Sequence, residues 1–355
     1  MKIKLAALFV SCLFLFAGCS KKEINKSAEN QDKKNLTIGL SIDSFVIERW
    51  RRDCDIFIAA AKEYGASVIV QNAGNSIDEQ IKQIKYLIDQ NIDVLVIVPK
   101  NASSLTDVIQ KAHAKNIPVI SYDRLILDSP IDLYVTIDTK KVGTLMAEEL
   151  CKIKPKGNWF CIYGADEDYN MQMLKEGVLS AVKLINARAH NDIKIDMEYF
   201  TAGWNYDLSY KKMNEMLEAK RIPEAVICGN DAIAENILRA LSEHRINNVA
   251  VSGQDADIAA CQRIVENKQT ITVYKPITQL AKSAAECACI LARGKPKISI
   301  ITGNSTINNG YGEVPVLWLD PQVVTKENIE DVIIKNGFHT REEVYRNIDI
   351  EEDNL

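Results

Sequence analysis

Histidine is scarce in this chain: four residues in 355, His113, His190, His244 and His339, lie far apart on polar helix ends or in loops. No histidine-centred catalytic arrangement can be read from them. The nine cysteines include no Cys-x-x-Cys pair and no Cys/His cluster at zinc spacing, so neither a metal site nor a disulfide framework follows. Most of the later ones, such as Cys161 in NWFCIYG and Cys228 in AVICGND, sit inside apolar runs and read as small buried hydrophobes, while Cys287 and Cys289, two apart on a helical segment, are not both expected to face the core. An excess of positive charge is missing too. With 43 basic and 48 acidic residues the formal charge is −5, which carries no nucleic-acid footprint. The apolar run at residues 5–17 falls short of the roughly 20 residues that a bilayer span needs. What remains, 47% apolar and 26% charged residues, is ordinary globular composition with length for two domains.

The amino terminus reads as a processing segment. Lys2 and Lys4 precede the apolar run, and Gly18-Cys19-Ser20 follows it, the layout of a signal peptide over residues 1–18. LFAGC, residues 15–19, resembles a bacterial lipobox, with Phe16 where that pattern usually carries Leu. On that resemblance Cys19 is lipidated and opens the mature chain; ordinary secretion would leave it without a role. Residues 19–35 are polar and show no apolar period, so they read as a flexible tether.

From Leu36 onward strand patterns alternate with amphipathic helices, the signature of right-handed βαβ units and a parallel sheet. LTIGLSID, SVIVQNA, DVLVIVP and IPVISYD are strands, and Ile77, Ile81, Ile84 and Ile88 mark an intervening helix by their spacing. After DSPID the alternation resumes through LYVTID, NWFCIYG, IDMEYFTAG, AVICGND, VAVSGQD and QTITVYKP. That is more parallel strand than one open sheet carries, so two sheets in two lobes is the economical reading. The turn-rich stretch after residue 298 is expected to cross back between lobes. The boundaries read as 36–138 plus 276–306 for the first lobe and 139–275 plus 307–345 for the second, with 346–355 a tail.

Polar and charged groups stand at the strand ends: Asp43, Asn72, Lys100, Asn101, Asp123, Arg124, Asp138, Asp166, Asp168, Asn170, Trp204, Asn230, Asp231, Gln254, Asp255 and Lys275. In a parallel sheet the carboxyl ends share one edge, so these side chains converge on a crevice in each lobe, and two facing lobes join the crevices into one cleft. Carboxylates, amides, guanidinium and ammonium groups with Trp50 and Trp204 among them suit a sugar. Each hydroxyl donates to Asp or Asn oxygens and accepts from Arg, Lys or Asn nitrogens, while indoles cover the C–H faces of the ring. The plainer readings stand beside this one: Asp43 and Asp231 as helix N-caps, Trp159 and Trp318 as core, Arg51 and Arg52 as solvated helix charges.

The motifs DSFVIERW, VISYDRLI, DEDYN, AGW, GND, VSGQDADIA and ITVYKPIT, with the closing NIEDVIIKNGFH, occur in this order. Together they resemble those of the D-xylose-binding periplasmic proteins of ABC importers, a subgroup of type I sugar-binding proteins, over nearly the whole chain from Leu36. The resemblance implies an α/β fold of two Rossmann-like lobes with parallel sheets joined by three crossovers, the sugar held at the hinge. Carried over by motif, it implies a ligand set of Arg49, Trp50, Asp123, Arg124, Asp168, Asn170, Trp204, Asn230, Asp255 and Lys275. It calls for no catalysis, no cofactor and no metal. Tyr163 and Tyr169 depart from the pattern and bear on which sugar is held.

The mechanism implied is hinge closure on the sugar, with the closed form recognised by a permease and the protein held at the membrane only through its lipid. A repressor-type regulator shares the two-lobed core but needs an amino-terminal helix-turn-helix where this chain has a signal peptide and tether. A glycosidase would need a carboxylate pair, yet an acid beside Arg124 or Lys275 suits hydrogen bonding better than general-acid work. A sensor docking a membrane kinase or chemoreceptor, or a protein holding another monosaccharide such as glucose, shares every feature above.

Overall fold

The structure, a computed structural model, describes residues 36–348 apart from 48, 189 and 295–297. The expected signal peptide, the tether with Cys19 and the end of the tail lie outside the described residues.

Strands β1 (Leu36–Ile42), β2 (Ala66–Asn72), β3 (Val94–Ile97), β4 (Val119–Tyr122) and β5 (Leu133–Ile137) pair in parallel in the order β2-β1-β3-β4-β5. Helices α1 (Arg49–Glu63), α2 (Ile77–Asp89) and α3 (Thr106–Ala114) supply crossovers between them. β3 and β4 read VLVI and VISY with every residue buried, as strands covered on both faces must. α2 opens on Ser76, whose hydroxyl accepts from the Glu79 N–H and satisfies one of the free donors of the first turn.

Helix α4 (Thr139–Ile153) starts the second lobe. There β6 (Lys156–Tyr163), β7 (Asp192–Phe200), β8 (Ala225–Cys228), β9 (Ala250–Gln254) and β10 (Ile271–Tyr274) pair in parallel in the order β7-β6-β8-β9-β10. Helices α5 (Tyr169–Asn186), α6 (Tyr206–Glu218), α7 (Asp231–Glu243) and α8 (Ile258–Val265) intervene. α4 and α5 pack backbone against backbone because two glycines face each other. A Cβ on Gly143 would lie 2.1 Å from the Leu174 carbonyl oxygen, and one on Gly177 would lie 2.0 Å from that of Lys140.

The chain then returns. Helix α9 (Ile277–Ala292) packs on α1 and on β3 of the first lobe. The hairpin β11 (Thr306–Asn308) and β12 (Glu313–Leu319) extends the first sheet, and β13 (Gln322–Val324) extends the second by antiparallel pairing with β10. Two lobes with three crossings are thus formed, after β5, after β10 and after β12.

Three expectations are corrected. Residues 307–319 do not belong with the second lobe: β12 runs parallel to β5, Val316 opposite Tyr134 and Leu319 opposite Ile137, because the exposed edge of β5 takes a further strand. Cys287 and Cys289, two apart on α9, are both buried, because that helix is enclosed by α1 on one side and the sheet on the other. Arg52 is not a solvated charge. Its Nη2 donates to the Phe338 carbonyl at 2.9 Å and its guanidinium lies 4.1 Å from the Phe338 ring, tying α1 to the carboxyl-terminal segment.

Candidate functional site

Equivalent positions in the two lobes supply the central acids. After β4, Asp123 still donates its N–H to the Val135 carbonyl at 2.8 Å, and after β9, Asp255 does the same to Val273 at 3.0 Å. Each ladder therefore runs one residue past its strand before the chain turns sharply, at φ +61° for Asp123 and +98° for Asp255. Trp204 also sits at positive φ, +58°. Left-handed backbone costs an L-residue roughly 1–3 kcal/mol and collects at binding sites, where the surroundings hold it.

Nine of the ten expected ligand residues line one small cavity between the lobes: Arg49, Trp50, Asp123 and Arg124 from the first, and Asp168, Asn170, Trp204, Asp255 and Lys275 from the second or its crossing. Ile47, Thr139, Met171 and Gln254 complete the wall. Asn230 stands apart. Its amide oxygen caps α7 by accepting from the Ile233 N–H at 2.9 Å, and it lines an adjoining cavity.

The lining groups are buried and paired. Arg49 Nη2 meets Asp123 Oδ2 and Asp53 Oδ1, both at 2.9 Å. Arg124 reaches Asp43 through Nη1 and Asp168 through Nε, each at 2.6 Å, so one guanidinium joins the lobes. Lys275 Nζ lies 2.6 Å from Asp255. Asn170 Nδ2 donates across the cleft to Asp123 Oδ1 at 3.0 Å. Arg124 also lies 5.5 Å from the ring of Trp50 and 6.0 Å from that of Trp204, between two indoles. Trp204 is held close by Gly164, where a Cβ would fall 2.2 Å from the indole.

Asp43, Asp53, Asp123, Asp168 and Asp255 surround Arg49, Arg124 and Lys275, all of them buried, so acid exceeds base. The excess appears in the acid–base balance. Burial, with Asp123 and Asp43 nearby, lifts the Asp168 carboxyl to about 6 against the pull of Arg124. Asp123 is also buried, but Arg49, Lys275 and Arg124 outweigh the loss of water and hold it below the ordinary carboxylate range.

The space left inside is about 20 Å³, room for about one water. Among the described residues, five buried polar atoms of the wall have no hydrogen-bond partner: Arg49 Nη1, Trp50 Nε1, Trp204 Nε1, Gln254 Oε1 and Asp255 Oδ1, the last held by its ion pair with Lys275. Buried polar groups in folded proteins are nearly always paired, so three donors and two acceptors without hydrogen bonds around one cavity mark a place for a polar ligand.

Other strand-end groups serve the fold. Asp138 caps α4, and Asp231 accepts from Thr272, Gln269 and the Asp257 N–H rather than capping α7. Asp43 accepts from the Ser44 N–H at 2.6 Å and holds Arg124. Trp159 is buried as expected; Trp318 is half-buried, edge-on to Tyr134 with ring centres 6.0 Å apart. Tyr163 turns away to Glu198 at 3.2 Å, and Tyr169 packs on the apolar cluster of the first lobe, so neither lines the cavity.

Some parts escaped the sequence reading. Asp53 stands behind Arg49 and also accepts from Tyr122 Oη at 2.6 Å; its signal was the four-residue spacing from Arg49 on α1. Ile47 and Met171 carry none of the polar chemistry that marks the other positions, and the Thr139 hydroxyl donates to the Ile137 carbonyl at 3.2 Å.

Comparison with known proteins agrees with this geometry. The profile of the periplasmic binding protein domain matches residues 38–296. The D-xylose-binding periplasmic protein of Haemophilus influenzae is 41% identical over 97% of this chain and 100% of its own length. The protein of that name from Escherichia coli is 40% identical over 88% of this chain and 93% of its own. Among solved structures, an ABC transporter solute binding protein from Clostridium phytofermentans with bound β-D-glucose superposes with a TM-score of 0.78 at 25% identity, covering 87% of this chain and 99% of that one. The chain belongs to the periplasmic binding protein family.

Proposed function

We propose that this chain captures a monosaccharide, D-xylose foremost, between its lobes and presents the closed form to an ABC permease. The observation that carries the reading is the set of buried polar atoms without a hydrogen bond, Arg49 Nη1, Trp50 Nε1, Trp204 Nε1, Gln254 Oε1 and Asp255 Oδ1, in a wall that also holds paired ions and two indoles. A sugar hydroxyl both donates and accepts, so a ring of hydroxyls meets donors and acceptors together. The names borne by the Haemophilus and Escherichia relatives favour D-xylose as the ligand.

Entry of a pyranose requires the lobes to part, since the closed cavity has room for about one water. The contacts that now join the lobes directly, Arg124 to Asp168 and Asn170 to Asp123, are then exchanged for contacts through the sugar. Hydrogen bonds to charged groups contribute about 1.5–3 kcal/mol each, so a sugar that touches both lobes stabilises the closed form by its differential affinity for it. An epimer leaves buried groups unpaired and is rejected on that account. Family membership places the protein in the periplasm, and Cys19 would hold it to a membrane there.

Trp50 and Trp204 report on the cavity. Tryptophan fluorescence of the purified chain is expected to change saturably with D-xylose in the micromolar range. No saturable change with D-xylose, D-glucose, D-ribose or L-arabinose would overturn the proposal.

A further inference from the structure

Beside the hinge cavity lies a second one of about 180 Å³, lined by Val46, Ile47, Tyr206, Asn230, Ala232 and Ala259 among others. Among the described residues Ile47 is the one that lines both. It lies on the segment that joins β1 to α1, where its carbonyl accepts from the Trp50 N–H at 3.2 Å, and its side chain is almost wholly buried. Resting on the sugar-binding reading above, we infer that Ile47 sets the size of sugar the site admits, by walling the hinge cavity off from this side cavity.

The chemistry of the two sides supports a steric wall. The hinge side is charged and dense. The side cavity is roomier and polar, with Asn230 Nδ2 donating to Tyr206 Oη at 3.3 Å and Arg263 paired with Glu235 at 3.1 Å. A hydroxymethyl or methoxy group projecting from a bound pentose ring toward Ile47 meets a branched hydrocarbon that can neither donate nor accept. Shortening that residue opens a path into space where a hydroxyl finds partners. Discrimination of one carbon-sized group in an apolar contact is worth about 10–200-fold.

The test is titration calorimetry of the wild-type chain, Ile47→Ala, Ala259→Leu and the double variant with D-xylose, D-glucose and methyl β-D-xylopyranoside. The affinity of D-glucose or of the xyloside relative to D-xylose is expected to rise at least tenfold in Ile47→Ala. It is expected to return toward wild type when Ala259→Leu refills the side cavity, while Ala259→Leu alone leaves D-xylose binding unchanged. Ile47→Val, the milder change, is expected to move the ratio in the same direction by less. A wild type that binds D-xylose, with ratios that stay within twofold in both Ile47 variants, overturns this inference alone. So does a gain that persists in the double variant. A wild type that binds none of the three sugars overturns this inference, and failure with D-ribose and L-arabinose as well brings down the function reading with it.

Discussion

Asp168 does two jobs that pull against each other. Its carboxylate caps α5 through the Asn170 N–H and pairs with Arg124, yet burial and the nearby acids lift it from 3.8 to about 6. A group raised on folding adds stability that is full below about pH 4 and is lost as the pH climbs through 6. The rise corresponds to about 3 kcal/mol at most. Measured by urea unfolding, the stability of wild type relative to Asp168→Asn is therefore expected to grow as the pH falls from 8 to 4; a difference flat with pH would contradict it. Asp53 does not line the cavity but holds Arg49 by two hydrogen bonds and is held by Tyr122. Asp53→Asn is expected to weaken D-xylose binding about tenfold by calorimetry, the scale of one charged hydrogen bond. Unchanged affinity would mean that Asp123 alone positions Arg49. Asp123, Arg124, Asp255 and Lys275 were legible because each stands directly after a strand, whereas Arg49, on the first turn of α1, entered through its motif. Asp53 was not legible, since a carboxylate one helical turn from an arginine is as common on a solvated surface as behind a site.

At the scale of elements, the facing glycines of α4 and α5 fix where the amino end of α5, with Asp168 and Asn170, meets the cleft. Gly177→Ala forces a methyl group to within 2.0 Å of the Lys140 carbonyl unless the helices separate. Overpacking of this kind costs about 1–3 kcal/mol, expected as a lower urea midpoint with weakened sugar binding. An unchanged midpoint would show that the helices separate freely. The alternation of strand and helix was legible nearly throughout, because apolar runs such as VLVI and the spacing of Ile77, Ile81, Ile84 and Ile88 leave little choice. The hairpin of β11 and β12 was not. Short strands with Pro315 among them carry a weak period, and which sheet edge they join depends on which edge is free. The burial of both Cys287 and Cys289 escaped for a related reason: enclosure of α9 on two sides comes from the assembled lobe, not from its own pattern.

At the scale of the whole molecule, the lobes meet through contacts among the proposed ligand residues, Arg124 with Asp168 and Asn170 with Asp123, supplemented at the rim by Lys100 with Glu167 at 2.6 Å and by Arg52 with Phe338. Neither lobe carries the site alone, so affinity and closure are one event. Isothermal titration of the chain with D-xylose, for wild type and for Asp255→Ala, measures that coupling. Asp255 lies on the second lobe, 2.6 Å from Lys275 and 3.9 Å from Arg49 of the first. Micromolar or tighter binding by wild type and at least a hundredfold loss in the variant are expected. Wild-type affinity retained by Asp255→Ala, or no heat from wild type with D-xylose, would contradict the coupling.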